Sequence, residues 1–513
     1  MNKQNLIFTL LGVLACVSCT MWQTPYSRVA DSYAGDSLKQ KAAKYLEQYA
    51  PYHYGIARHI VDSAGHRSRL KAAQFANDSL YRSYLDDHHY HLSTGTPVMD
   101  LDTITDDYLK ENIDLAFDSW RKPWSRQIPF EDFCRYILPY RNGDEELTRW
   151  RRRFKRRYEH LVTDSLKDTG DIRTVAEFLM RQIRKDIGYG TRFNGLIQGF
   201  LTPEETEQLG HLECKACANY AALALRACGI PCQVLEMHWR FTEIPHTSVF
   251  VPKTKGNPRA FRIAVGDDFQ YMGEPKDSMA TWRAWAYSYD VNEDLLELSD
   301  DKDVLSSFVR PYCRQDLTST VNRTFDFSLA VPDSLRSKRH LFLCRFHGSE
   351  WYPIREGRVD GDSVRFHDAT IRQLYRVGYM DKAGVHVGGG VFTLLGDGRV
   401  RPYDQSGQKV LFKFAYSCEP DEDRLTRDIV TSHWDRQGRL VPEVKRCPLW
   451  GLNEKTGEYR LFSEDMRGTF KPVFHLCEVH HPMWSAFTSE ELPRPVGFLV
   501  RDSVTNEGYM MQF

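Results

Sequence analysis

Residues 213–234 read ECKACANYAALALRACGIPCQV and hold four of the chain's twelve cysteines. CxxC followed by CxxxC admits three chemistries: a zinc site, a redox pair, or one nucleophilic thiol among neighbours. Zinc would need both pairs gathered into one tetrahedron. The intervening ANYAALALRA is a strong helix former without a turn signal, and at about 1.5 Å per residue it would hold the pairs roughly 15 Å apart. A thioredoxin-type CxxC follows a strand in a βαβ setting, which this stretch lacks. A nucleophile remains. Gly229-Ile230-Pro231 marks a helix stop, and counting back places the helix start near Cys217. A thiol there would feel the positive end of the helix dipole, and the unpaired N–H groups of the first turn could bind an oxyanion. Cys214 is the alternative nucleophile, or a partner that pairs with Cys217 and regulates it.

Such a thiol needs an imidazole to take and return a proton, and a third group to orient that imidazole. His246 opens HTSVFVP, and Asp267 and Asp268 close the following run, AFRIAVGDD. His238, in EMHWRF, is the competing imidazole. Cys228 and Cys232 read as packing residues at the helix end and the next strand's start. The histidine clusters at 86–91 and 475–481 lack partnered ligand spacing, so no metal or cofactor is expected.

The elements that must position these groups follow from periodicity. From Asp36 to about Tyr158 the pattern is helical: Leu38, Ala42, Tyr45, Leu46 and Tyr49 share one face. TDDYLKENIDLAFDSW offers Thr105 as N-cap and stripes Leu109, Ile113, Phe117 and Trp120. RWRRRFKRRYEH looks like a nucleic-acid patch, yet Trp150, Phe154 and Tyr158 recur every four residues. Its arginines therefore read as the solvated side of an amphipathic helix, with acidic partners nearby. CQVLEMHWRF, HTSVFVP and AFRIAV read as three short strands. Beyond about residue 300, short apolar strands alternate with Gly/Asp turns, as in β-sandwich modules. Gly388–Gly390 lie between strand signals and lack the helix and acid of a dinucleotide fingerprint.

The run C-x-x-Y-A-A-L-A-L-R-A-C-G-I-P resembles the signature of transglutaminase-like proteins of the papain-like cysteine superfamily. The upstream DDYLKENIDLAFDSW…FEDFCRYILPYR is similar to the helical region of transglutaminase-domain lipoproteins from Bacteroides-type bacteria. The resemblance implies an α+β fold and a Cys-His-Asp triad acting on amides. It places the nucleophile on Cys217, the imidazole on His246 and the acid on Asp268 or Asp267, with Trp239 and Gln198 as candidate oxyanion helpers. It implies hydrolysis of a peptide, protein or glycopeptide substrate, with water preferred over an amine acceptor. The expected divisions are a signal peptide at 1–19, a helical region at 20–164 and a catalytic core at 165–300. A β-sandwich-like module at 301–415 and a β-rich module at 416–513 follow. The alternative is a catalytically degenerate scaffold whose β modules bind glycan or protein partners.

Composition bounds the rest. A net charge of −1 over 513 residues gives no global attraction to nucleic acid. A mean hydropathy of −0.51 excludes a many-span membrane protein. The N-terminus carries one lysine, then a short apolar run ending in VLACVSC, which fits a signal peptide and a lipobox at Cys19 or Cys16. Lipidation there would anchor an exported chain at a membrane, the outer membrane being the expected site, facing periplasm or cell surface. Export would expose the ten remaining cysteines to an oxidising compartment, but their scatter is not a small disulfide scaffold.

Overall fold

The structure is a computed structural model. It describes residues 23–67, 78–166, 169–190, 199–239, 245–266, 269–272, 281–347, 350–371, 373 and 375–403, together with short strands between 413 and 512.

The fold is α+β. Helix α1 (Pro25–Ser32) is capped by Thr24 and α2 (Ser37–Tyr49) by Asp36. Helix α3 (Asp106–Trp120) starts where the sequence places it: the Thr105 side chain accepts from Tyr108 N, and Leu109, Ile113 and Phe117 are buried. Helix α4 (Phe130–Tyr136) follows. Helix α5 (Trp150–Phe154) runs through a π turn, Lys155–Glu159, with Trp150, Phe154 and Tyr158 inward. Its basic face is ion-paired as well as solvated. Arg152 bonds Glu111, Arg157 bonds Glu207, and Arg153 bonds Glu204 and Glu207. Arg151 departs from the expectation: it is buried and donates to the carbonyls of Ile137, Leu138 and Pro139. Helices α6 (Ile172–Ile183), α7 (Pro203–Leu209) and α8 (Cys214–Ala227) complete the helical layer.

Small pairings flank it, among them β1 (Arg58–Val61) with β2 (His91–Thr94) and β3 (Gly188–Tyr189) with β4 (His211–Leu212). The three strands expected after the cysteine-rich stretch form the middle of a six-stranded antiparallel sheet. Its members are β5 (Gln233–Trp239), β6 (His246–Val251), β7 (Phe261–Ile263), β8 (Phe269–Tyr271), β9 (Thr281–Tyr287) and β10 (Arg314–Asp316), in the order β8-β7-β6-β5-β9-β10. Helix α8 packs on one face, where Val234, Val249, Val251 and Ile263 join the helical core. Leu235, Met237, Phe250, Ala284 and Ala286 line the other face. One apolar core runs from Tyr26 to Tyr289, so the helical region and the sheet share an interior across the expected division at 164. The sheet itself continues to Asp316, past the expected boundary at 300.

Downstream lies a seven-stranded antiparallel sheet: β11 (Thr324–Ala330), β12 (Leu341–His347), β13 (Glu350–Asp360), β14 (Ser363–Thr370), β15 (Tyr375–Asp381), β16 (Gly384–Leu394) and β17 (Val400–Tyr403). The order is β11-β14-β13-β12-β15-β16-β17. Strand β13 pairs with β12 along its first part and with β14 at its end, around Leu343, Val364, Phe366, Tyr375 and Phe392. Gly388–Gly390 sit within β16. Among the strands described beyond 413, five form an antiparallel sheet from Trp450 to Gln512. Among the described residues no helix is long and apolar enough to cross a membrane.

Candidate functional site

Helix α8 ends as its sequence demands. Gly229 adopts φ +84°, its N–H bonds Arg226 O, and Ile230 N–H bonds Leu225 O, a Schellman stop. The last carbonyls meet side chains from the α3 side. Ser119 Oγ donates to Ala227 O at 2.7 Å, Trp124 Nε1 to Cys228 O at 2.8 Å and Ser125 Oγ to Gly229 O. Arg226 lies buried and holds Cys232 O, fixing the turn into β5.

The other end corrects the sequence reading. Helix α8 begins at Cys214, three residues before the expected start, with Glu213 as its N-cap. The Glu213 carboxylate accepts from Lys215 N at 2.6 Å and Ala216 N at 2.9 Å. Two first-turn donors expected to serve an oxyanion are therefore taken. Cys217 sits one turn in, 2% exposed, its thiol directed at Gly188 O and Leu212 O, 3.5 Å from each. Burial pushes that thiol well above its ordinary range, and Glu213 and Cys214 push the same way.

Cys214 occupies the helix's first position and is part-exposed. Its Sγ lies 3.9 Å from Pro245 O. Burial and then Glu213 push its thiol up to about 12, while the N–H and hydroxyl of Thr247 oppose the rise. Cys214 thus faces the start of β6, where His246 stands between two residues that touch it.

Strand alternation decides what each residue there can reach. Thr247 pairs with Glu236 across the β5–β6 ladder, and His246 pairs with Met237. Thr247 and Glu236 belong to the α8 face with Val249 and Val234. His246 belongs to the opposite face with Met237 and Phe250. The imidazole on the α8 face is His238. Its Nε2 lies 3.2 Å from Glu236 Oε1, and Glu236 Oε2 receives Lys215 Nζ at 2.8 Å and Tyr287 OH at 3.0 Å. Burial works to raise the Glu236 carboxyl, but the bonds from His238 and Lys215 hold it well below the usual carboxylate range.

Lys215, Glu236 and His238 thus form one bonded group, and Cys214 stands beside Thr247, which pairs with Glu236 across the ladder; strand alternation sets His246 on the sheet's other face. Sequence reasoning missed Glu236, although the period-2 spacing of EMHWRF already sets Glu236 and His238 on one face. Trp239 ends β5 opposite Thr281. Gln198, Asp267, Asp268, Cys16 and Cys19 lie outside the described residues. Cys228 and Cys232 are buried, as expected of packing residues, and all seven described cysteines are free thiols. His88 stacks on Tyr84, and the 475–481 cluster lies outside the described residues. Comparison with protein-family models, with curated proteins and with solved structures finds no match.

Proposed function

We propose that this protein is a cysteine-dependent acyl-transfer enzyme that hydrolyses peptide or glycopeptide amides, acting from an exported, lipid-anchored position. The resemblance to transglutaminase-like proteins supports the reaction class. The observation that carries the site is the placement of Cys214, a residue less buried than Cys217, at the first position of α8 against the β5–β6 ladder. In this reading Cys214 Sγ attacks the amide carbon and its proton passes to an imidazole. The imidazole returns that proton to the departing amine, and water then cleaves the thioester and restores the thiol. His238, tethered by Glu236, takes the imidazole's part in this reading, because alternation along β5 sets it on the same face as Glu236, whose ladder partner Thr247 bonds Cys214. A thiol raised to about 12 is protonated at neutral pH. The base must therefore act during the attack rather than hold a standing thiolate.

One observation favours the second reading, a degenerate scaffold: Glu213 occupies two N–H groups of the first turn and places negative charge beside the thiol. Turnover separates the two. Full-length protein incubated with peptide and muropeptide mixtures is expected to release new primary amines. Cys214→Ala and His238→Ala should lower that rate by at least about a hundredfold, while Cys217→Ser retains it. Loss on His246→Ala with His238→Ala unaffected would return the base to His246. Release that survives Cys214→Ala would overturn the assignment, and absence of release from the wild type would favour the scaffold.

A further inference from the structure

Away from the cysteine site, three segments converge on one imidazole. His59 comes from β1, Glu146 from the segment between α4 and α5, and Glu205 from the first turn of α7. Their donor atoms all lie within 4.8 Å of one another. His59 Nδ1 is 3.3 Å from Glu205 Oε1, and His59 Nε2 is 3.6 Å from Glu146 Oε2. These separations exceed a good charge-assisted hydrogen bond, about 2.8 Å. The Nε2–Glu146 separation is close to the edge, about 3.4 Å, of a tetrahedron with bonds near 2.1 Å to zinc; Glu205 approaches the other ring nitrogen and completes a set of one donor per residue within 4.8 Å.

Two further features set the cluster apart from an ordinary surface ion pair. Nε2 of His59 is a buried atom with no hydrogen bond among the described residues, a state that costs free energy unless something else engages it. Glu205 is held in place by other bonds. Its Oε2 accepts from Thr202 N at 2.9 Å and Thr202 Oγ1 at 2.8 Å in a reciprocal capping box, which leaves Oε1 turned to the imidazole. Such support is what orients a metal ligand before the metal arrives. Arg58, the nearest cation in the sequence, is engaged by Asp144 at 2.7 Å and does not compete for the glutamates.

We infer that His59, Glu146 and Glu205 form a binding site for a divalent transition metal, zinc by donor set. One imidazole nitrogen and two carboxylates would leave a fourth position to water. The ion would cross-link β1, the segment before α5 and α7, which come from three distant parts of the chain.

The test uses EDTA-treated full-length protein and zinc chloride as the probe. Calorimetry should show one saturable site per chain, and zinc should raise the thermal midpoint. Cobalt(II) in place of zinc should give the strong visible absorption of a four-coordinate ion. His59→Ala and Glu146→Gln should each weaken binding by about tenfold or more. Glu146→Gln is the cleaner variant, because Glu205 also caps α7. Either of two results overturns the site: wild-type protein that takes up no zinc, or binding unchanged in both variants but lost on replacing the exposed His88, His89 and His91.

Discussion

At the scale of single residues, reactivity turns on what surrounds one sulfur. Cys214 has the helix position that usually lowers a thiol, but burial and the Glu213 carboxylate outweigh it. Glu213 is itself pushed up by burial, held in check by the N–H groups of Lys215 and Ala216. Glu213→Gln removes the nearest negative charge and keeps an oxygen for those N–H groups. Iodoacetamide labelling of Cys214 at neutral pH should then quicken by about tenfold, the thiolate gained if its pKa falls by one. In the wild type the labelling rate should climb steadily with pH into the alkaline range. A plateau below pH 8 would mean a standing thiolate and contradict the charge argument. Cys217 should label more slowly than Cys214 throughout, because its thiol is enclosed.

At the scale of elements, α8 shows what sequence can and cannot resolve. Its end was legible. Gly229 is the one residue type that takes φ +84° there freely, and a Cβ would come within 2.5 Å of both Ser119 O and Ser125 Oγ. Gly229→Ala should therefore destabilise the protein by about 2 kcal/mol or more, read from the urea midpoint. A cost under about 0.5 kcal/mol would show that the turn relaxes. The helix start was misjudged by a turn. Glu213 is not among the preferred N-cap types, so it gave no start signal; Ala216, just before Cys217, is a poor cap and was the warning. The three strands after α8 were legible from alternation, as were the buried stripes of α3 and α5. The joining of Lys215, Glu236 and Tyr287 was not, since it depends on a helix and two strands meeting in space. Arg151 escaped the same way: nothing in a run of arginines marks which one turns inward to bind carbonyls.

At the scale of the whole molecule, one interior joins the helical region to the six-stranded sheet, and titratable groups sit inside it. His53, from the helical region, donates to Tyr289 O at 2.8 Å and stacks on the Tyr289 ring. Burial lowers it from 6.5 to about 4. A histidine kept neutral in this way contributes stability that is complete above pH 6.5 and lost as pH falls toward 4, about 3 kcal/mol in all. The buried thiols of Cys134 in this interior, and of Cys313 and Cys344 elsewhere in the chain, are pushed by burial from 9.0 up to about 12. Their contribution has the opposite sense: complete below pH 9, lost as pH rises toward 12. Urea midpoints should therefore form a plateau between about pH 6.5 and 9, and His53→Gln should flatten the acid limb alone. An acid limb unchanged by His53→Gln would place its origin elsewhere. Whether the reacting thiol stands at the first position of α8 is tested most directly by locating the acyl group. Acid-quenched mass spectrometry of full-length protein during turnover of a peptide mixture should find the thioester on Cys214; a thioester on Cys217 would contradict it.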